Sequence, residues 1–292
     1  MPFDKESELV STTSISELNI YPIKSCAGIS LKVAEIGPRG IQGDRAFMVV
    51  DREGRFITQR RQPRMALIKP EINEDGSLTV KAPEMPAMVI AANDKGKRGE
   101  VVIWRDTCIA VDQGDAPAEW FSAFLGLACR VVSMPEDYVR RVDPRYARRE
   151  QDQVGFADGY PFLLITEASL ADLNARLQHP LPMNRFRPNI VVKGTLPYAE
   201  DTSRKIRIGQ VTFDVVKACA RCPIPTTDQA TATRGKEPLK TLATYRHATR
   251  GVMFGQNLIH ANTGKIRLGD TVEVLEKAST PNFALKMREK KY

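Results

Sequence analysis

The stretch IRIGQVTFDVVKACARCP, residues 206–223, indicates the fold class of this 292-residue chain. A short apolar segment leads to Gly209 and then to the alternating run Val211–Val216, which is the pattern of a β-hairpin. The same order returns at 266–275, where Gly269 separates two further apolar segments. Two such hairpins in one region predict a β-barrel whose strands return to the same wall.

Short strands are predicted along most of the remaining chain, at a spacing typical of a barrel or a sandwich. Apolar or alternating segments predict them at Ser16–Ile23, Ser30–Ile36, Ala46–Asp51, Arg55–Gln59, Leu78–Ala82, Ala87–Ala92, Glu100–Trp104, Thr107–Val111, Pro161–Ile165 and Pro188–Lys193. Helices are predicted at Ala116–Leu127 with Asp115 as its cap, after the cap residue Thr166, and at Pro238–Tyr245.

Composition excludes several classes of protein. The chain is 42% hydrophobic and 27% charged, which excludes a wholly disordered protein. No apolar run approaches the roughly 18 residues that a membrane span needs, and the first residues lack a signal-peptide core. Five cysteines are too few and too unevenly spaced for a disulfide scaffold. These features predict a cytoplasmic protein with reduced thiols.

The charge balance is basic, with 43 Lys and Arg against 35 Asp and Glu. Such a surface attracts nucleic acid, a phosphorylated cofactor or an acidic protein partner, or it is simply a soluble surface. Five of the arginines lie between Arg140 and Arg149, within the polar segment Met134–Asp158. This segment is predicted to be a linker or long surface loop, which is either solvated or shapes a site for an anionic ligand.

The cysteine pair Cys219 and Cys222 is the sharpest local feature. Its C-x-x-C spacing is compatible with a zinc site, but the chain has three histidines and no second cysteine pair. A redox dithiol should open a helix, whereas this pair ends a strand and precedes Pro223. Packing of one or both side chains is a further alternative. In a fourth, one thiolate is the single protein ligand of a metal held mainly by a cofactor, and Arg221 favours the thiolate.

Polar and basic residues at predicted strand edges and turns could bind the charged part of such a cofactor. They occur in three places: Tyr21–Ser25, Gly43–Arg45 and Asn184–Asn189. Each is a weak signal alone, because a Lys or Arg at a turn is usually solvated.

Together, these stretches resemble the MOSC family, named for the C-terminal domain of molybdenum cofactor sulfurases. The resemblance is greatest to the group that includes the mitochondrial amidoxime-reducing component and its bacterial relatives. It rests on YPIKSCAG (21–28), GDRAFMVVD (43–51), TQRRQPRM (58–65), PFLLITEASLADLN (161–174), FRPNIVV (186–192), CARCPIPTTD (219–228), EPLKTL (237–242) and FGQN (254–257).

The resemblance implies a mainly β (α+β) fold, with an N-terminal β-barrel-like domain at 14–135 and a β-barrel MOSC domain with a few helices at 159–277. An Arg-rich linker, 136–158, would join them, and a basic tail, 278–292, would follow. The implied cofactor is molybdopterin-bound molybdenum, with Cys222 as the metal ligand. The implied cofactor contacts are Lys24, Ser25, Arg45, Thr166, Arg187, Asn189, Arg221 and Asn257. At the family level the resemblance also carries pyridoxal phosphate binding.

The implied activity is the reduction, and so the detoxification, of N-hydroxylated compounds: hydroxylamines, amidoximes and N-hydroxylated nucleobases. Asp228, six residues after the ligand, is the candidate for proton handling, and its alternative role is to cap a turn. The chain has no flavin, haem or iron–sulfur motif and no counterpart of its relatives' membrane anchor or ferredoxin domain. Electrons are therefore expected from a separate ferredoxin, flavodoxin or cytochrome-type protein and its reductase.

Two other functions compete with this interpretation. Cys222 could carry sulfur or pass on the cofactor without N-reductive turnover. A nucleic-acid-binding barrel is disfavoured, because the basic stretches lack the interleaved aromatic residues that stack on bases.

Overall fold

The computed structural model describes residues 12–91 and 95–283. Residues 284–292, which form most of the predicted basic tail, and Ala92 of the predicted strand Ala87–Ala92 lie outside the described residues. Among the described residues, no helix is both long enough and apolar enough to cross a membrane.

Strands dominate the described part of the chain. In order, they are β1 (Ser14–Ile20), β2 (Ile29–Leu31), β3 (Val33–Gly37), β4 (Gly40–Ile41), β5 (Phe47–Val50), β6 (Lys69–Ile72), β7 (Leu78–Lys81), β8 (Met88–Ile90), β9 (Arg98–Ile103), β10 (Asp106–Asp112), β11 (Arg130–Ser133), β12 (Phe162–Thr166), β13 (Ile190–Lys193), β14 (Ser203–Ile208), β15 (Val211–Ala220), β16 (His247–Ala248), β17 (Gly251–His260), β18 (Gly264–Arg267) and β19 (Val272–Lys277). The predicted mainly β, α+β class is therefore confirmed.

The helices are few and short. They are α1 (Asp115–Leu125), α2 (Glu167–Asn174) and α3 (Leu239–Tyr245), with single 3-10 turns at Pro63–Leu67, Met183–Arg185, Ala199–Asp201 and Ile224–Thr226. The predicted cap of α2 is confirmed, because the Thr166 hydroxyl accepts a hydrogen bond from the Ser169 backbone N–H. The predicted cap of α1 is wrong: Gly114 is the cap, and Asp115 is the first helical residue.

One large sheet contains most strands of the second half of the chain, together with β1 and β2 from the first half. Its strands follow the order β19-β14-β15-β17-β12-β13-β1-β2, with β16 also paired to β17. The pair β12–β13 is parallel and encloses α2, whereas the other pairs of this sheet are antiparallel. Aliphatic side chains from both ends of the chain, such as Ile15, Ile36, Ile206 and Ile266, form one core on this sheet.

The first half contributes smaller sheets. They have the orders β5-β11-β10-β9, β6-β7-β8 and β18-β3-β4. The apolar face of α1, with Trp120, Phe121 and Phe124, packs into a second core with residues of β5, β7 and β11. β1 and β2 come from the first half of the chain but belong to the large sheet. The domain boundaries at residues 135 and 159 remain predictions.

The two predicted hairpins have different outcomes. β14 and β15 pair across Gly209 and confirm the first. The second is wrong, because β18 pairs with β3 and β19 pairs with β14. A local pattern marks both segments as strands, but it does not contain the distant partner that each selects. The predicted strand Arg55–Gln59 is also wrong, because only isolated bridges form at Arg55 and Phe56.

Candidate functional site

Most of the predicted site residues line one cleft of about 1240 Å³. They are Lys24, Ser25, Arg45, Arg187, Asn189, Arg221, Cys222 and Asn257. The cleft lies where the turns after β1 and β4 meet the loop before β13 and the C-terminal end of β15. Residues distant in sequence thus share one wall, as a cofactor site requires.

The backbone is strained at several cleft residues. Ser25, Arg45, Trp104 and Arg187 all line the cleft and have left-handed φ angles of 71°, 47°, 58° and 58°. Non-glycine residues seldom adopt this conformation, and such residues cluster at functional sites.

Basic side chains dominate the lining. Ten of the lining residues are basic and three are acidic, namely Asp106, Asp143 and Asp158. The basic residues are Lys24, Arg45, Arg60, Arg105, Arg140, Arg141, Arg145, Arg187, Lys217 and Arg221. The net positive charge of the chain is therefore concentrated where an anionic ligand could use it.

Lys24, Asp158 and Arg60 form an ionic cluster in the cleft. The Lys24 ammonium donates to Asp158 Oδ1 at 2.5 Å and to the Phe156 carbonyl at 2.8 Å, while Arg60 donates to Asp158 Oδ2 at 2.6 Å. Burial lowers the pKa of Lys24 to about 8, against the attraction of Asp158. Desolvation opposes ionisation of Asp158, but both cations outweigh it and hold its pKa far below its usual range.

Arg60 also lies beside Cys222. Burial disfavours the Arg60 guanidinium, but Asp158 and Cys222 outweigh this effect and raise its pKa.

Tyr21 is contacted by two arginines of the cleft. The guanidinium carbons of Arg45 and Arg187 lie 4.3 and 4.1 Å from the centre of its ring, within cation–π range. Arg45 also pairs with Asp44 at 2.6 Å and donates to Asn189 Oδ1 at 3.1 Å. Burial, with repulsion from Arg45, lowers the pKa of Arg187 to about 10. The Asn189 side chain therefore helps to fix the orientation of Arg45.

The two cysteines of the C-x-x-C pair have different surroundings. Arg221 Nη1 donates to the Cys219 sulfur at 3.1 Å, and Arg221 Nη2 donates to the Phe186 carbonyl at 2.7 Å. Both cysteines are free and half-buried, and both line the cleft. Among the described residues, no group of three or more His, Cys, Asp or Glu side chains could hold a metal ion. These side chains thus form no zinc site of their own.

The donor set of the cleft fits molybdopterin-bound molybdenum. Nε and Nη1 of Arg60 and Nε of Arg221 are buried and have no hydrogen-bond partner among the described residues. Buried donors of this kind are normally satisfied, and an anionic group in the cleft would satisfy them. Cys222 would supply the soft sulfur ligand that molybdenum in a sulfur-rich cofactor prefers.

Thr166 and Asp228 do not join this group. Thr166 is buried at the N-terminus of α2, where its hydroxyl contacts Glu200 and Ser169. Asp228 does not line the cleft, and its Oδ1 accepts hydrogen bonds from the Ala230 and Thr231 backbone N–H groups. These bonds lower the pKa of Asp228 and support the turn-capping alternative.

The Arg-rich segment is not a simple solvated loop. Arg140 is 5% exposed, and it donates to Asp106 and to the carbonyls of Gly155 and Ala157. Arg149 pairs with Asp214 at 2.6 Å. The segment therefore forms part of the cleft wall, while Arg141 and Arg148 remain exposed.

Sequence reasoning missed Arg60, Asp158 and Trp104 as site residues. Arg60 lies in the TQRRQPRM stretch, which carried the resemblance but no residue assignment. Asp158 and Trp104 are each the last residue of a segment that contains no local motif. No sequence pattern therefore indicated that they belong to the site.

Comparison with known proteins gives the following matches. The MOSC N-terminal beta barrel domain matches residues 12–128, and the MOSC domain matches residues 151–273. The chain is 36% identical to mitochondrial amidoxime-reducing component 1 of Mus musculus, over 93% of this chain and 85% of that protein. It is 34% identical to component 1 of Homo sapiens, over 94% and 86%. Among solved structures, the YuaD protein of Bacillus subtilis is 13% identical with a TM-score of 0.41, over 90% of this chain and 94% of that one.

Proposed function

The chain belongs to the MOSC family, and from that premise we propose that it is a molybdenum-cofactor-dependent reductase of N-hydroxylated compounds. The observation that carries the proposal is the cleft, in which Cys222 lies among ten basic side chains. Its relatives are named for the reduction of amidoximes, which are N-hydroxylated compounds.

The cofactor would be held by charge and by hydrogen bonds. Lys24, Arg45, Arg187 and Arg221 would bind its phosphate and pterin, with polar contacts from Ser25, Asn189 and Asn257, and Cys222 would ligate the metal. Arg60 would join this set, because its buried Nε and Nη1 have no hydrogen-bond partner among the described residues and an anionic cofactor would supply one. When bound, the cofactor supplies two-electron redox chemistry, and the protein supplies its position and electrostatic environment.

The reaction consumes two electrons and two protons for each substrate: R–NHOH + 2 electrons + 2 protons gives R–NH₂ and H₂O. Asp228 is unsuited to deliver these protons, because it caps a turn outside the cleft lining. Asp158 lies inside the cleft with its side chain 51% exposed. Water can therefore reach the Lys24–Asp158–Arg60 cluster and deliver the protons.

The electrons would come from a separate redox protein. An acidic donor would be attracted to the rim of the cleft, where Arg141 and Arg145 are exposed. A small donor would reach the cleft without this attraction, so the two kinds of donor can be compared.

The test is metal analysis combined with turnover. The purified protein should hold about one molybdenum and one pterin per chain and reduce an amidoxime with an artificial electron donor. Bound cofactor without turnover would instead indicate the carrier alternative. Absence of molybdenum after expression in a cofactor-producing host would contradict the proposed reductase and the transfer of cofactor, and would leave sulfur carriage by Cys222 as the alternative.

The cysteine pair supplies the decisive variants. Cys222→Ser should abolish reduction, because a hydroxyl is a harder and poorer ligand than a thiolate. Cys219→Ala should retain most activity, since it removes only the acceptor of one Arg221 hydrogen bond. Activities are compared at matched molybdenum content. Equal loss in the two variants would favour a dithiol mechanism.

A further inference from the structure

The fold does not require a tryptophan at position 104. It is the first residue of the two-residue turn Trp104–Arg105 that joins β9 to β10, since Ile103 pairs with Asp106. Its φ is 58°, and glycine is favoured at this turn position because a Cβ is strained there. An aromatic residue here needs a reason beyond the turn.

Burial is not that reason. Trp104 is 49% exposed, whereas Trp120, the second tryptophan of the chain, is 4% exposed and lies on the apolar face of α1, in the core. A large exposed aromatic side chain gains little from the hydrophobic effect. It does line the cleft that contains Cys222.

The indole is nevertheless held in one orientation. The Arg60 guanidinium carbon lies 4.7 Å from its ring, the Phe56 ring centre lies 5.0 Å away at 59°, and its Nε1 donates to Asp158 Oδ1 at 3.2 Å. Arg60 and Phe56 cover part of the ring, and about half of the residue remains exposed where it lines the cleft. The ring is thus an ordered aromatic surface in the cleft wall, which reduces the entropy lost on binding.

Arg60 contacts Trp104, and both residues line the cleft that contains Cys222. A molecule that stacks on the exposed part of the indole would therefore lie in the same cleft as the proposed metal ligand. Flat, conjugated molecules stack on an indole, whereas small aliphatic molecules have no π face to do so.

We propose that Trp104 is a stacking subsite at the edge of the cleft and selects N-hydroxylated substrates whose N–OH group is conjugated to an aromatic ring. This inference rests on the proposed function, because only a reductase would treat these molecules as substrates. The stacking subsite itself requires only that an aromatic molecule bind. An aromatic amidoxime would place its ring on the indole and its N–OH group towards Cys222.

The test compares benzamidoxime with acetamidoxime, which carries the same functional group without a ring. Binding is measured first, on the molybdenum-loaded protein without a reductant. In a Trp120→Phe background, Trp104 is the remaining tryptophan and its fluorescence reports the ring directly. Benzamidoxime should quench this fluorescence and acetamidoxime should not. Absence of quenching by benzamidoxime at concentrations well above its KM would overturn the proposal.

Turnover measurements on Trp104 variants then distinguish a loss of substrate selectivity from a general loss of folded protein. Trp104→Leu keeps apolar bulk without a π face, and Trp104→Gly relieves the left-handed backbone and so preserves the turn. In both, the ratio of kcat/KM for benzamidoxime to that for acetamidoxime should fall about tenfold, mainly through the KM for benzamidoxime. Leu196→Ala, an exposed apolar residue outside the cleft lining, should leave the ratio unchanged.

An unchanged ratio in both Trp104 variants would overturn the subsite. Quenching of Trp104 by benzamidoxime in a protein that reduces neither compound would support the subsite and contradict the proposed reductase function.

Discussion

Individual residues of the cleft are held at an energetic cost. Four of the seven non-glycine residues with positive φ in the described chain line the cleft. A left-handed backbone costs roughly 1–2 kcal/mol for an ordinary residue. The arginines among them, Arg45 and Arg187, are therefore held by the surrounding fold in positions that their own backbone disfavours, which keeps their charges directed at the site.

Removing either of these arginines should release the cofactor. A charge-assisted hydrogen bond contributes about 1.5–3 kcal/mol, so Arg45→Ala and Arg187→Ala should each reduce cofactor retention about tenfold or more. Molybdenum and pterin are measured per chain after gel filtration. Arg207→Ala, which removes an exposed arginine paired with Glu273, is the matched control. Full cofactor content in both cleft variants would show that these residues do not hold it.

Lys24 gives the site a pH dependence of defined sign. Its pKa of about 8 lies below that of an ordinary lysine, so it loses its charge as the pH rises through that value. A bound phosphate favours the protonated form, and affinity should therefore be fullest below pH 8 and decline above it. The measurement is cofactor retention at pH 7, 8 and 9.

Lys24→Arg provides the control for this effect. Arginine keeps its charge over the same range, so the variant should lose the decline between pH 7 and 9. The same decline in the variant would assign it to another group of the site.

At the scale of elements, irregular pairing of β15 with β17 shapes the site. The register shifts between Val215 and Lys217 and again between Ala218 and Ala220. At the second shift, two residues of β17, Phe254 and Gly255, oppose Cys219. Such bulges bend a strand and redirect its side chains, and here they precede the turn that carries Cys222.

Gly255 makes this bulge possible. Its φ is 81°, and a Cβ there would lie 2.7 Å from Ile165 Cγ1 and 2.9 Å from the Leu164 carbonyl oxygen. Gly255→Ala should therefore lower the free energy of unfolding by about 2 kcal/mol. Gly99→Ala, at an exposed position of β9 with open space around it, should be neutral or slightly stabilising. Urea denaturation of both variants checks the contrast, and equal effects would show that the bulge tolerates a side chain.

For the whole molecule, the charge distribution predicts how an electron donor docks. If the donor is acidic, turnover driven by it should fall as salt rises, because the Debye length shrinks from about 10 Å at 0.1 M to about 3 Å at 1 M. Turnover with a small neutral dye should change little. Salt-independent turnover with the protein donor would remove the electrostatic argument.

The structure refines which charges to reverse. Arg140 and Arg149 are engaged in internal pairs, whereas Arg141 and Arg148 are exposed on the same segment. Arg141→Glu combined with Arg148→Glu should slow turnover with the protein donor and spare turnover with the dye. Arg52→Glu, at an exposed arginine outside the cleft lining, is the control.

Local sequence was sufficient for some of these features. The Thr166 cap, helix α2 and the β14–β15 hairpin were predicted because each depends on neighbours within a few residues. Eight of the ten predicted site residues also line one cleft, although their roles remain predictions. They came from motifs whose resemblance to the MOSC family is confirmed.

Tertiary structure alone decided the rest. The partner of β18 is β3, from near the start of the chain, and no local pattern contains that information. Arg140 is buried because Asp106 and the carbonyls of Gly155 and Ala157 surround it, although its sequence context is that of a solvated loop. Trp104, Asp158 and Arg60 meet only when three segments converge. Burial and ion pairing depend on which distant segments are brought together, whereas periodicity and capping report only on each segment itself.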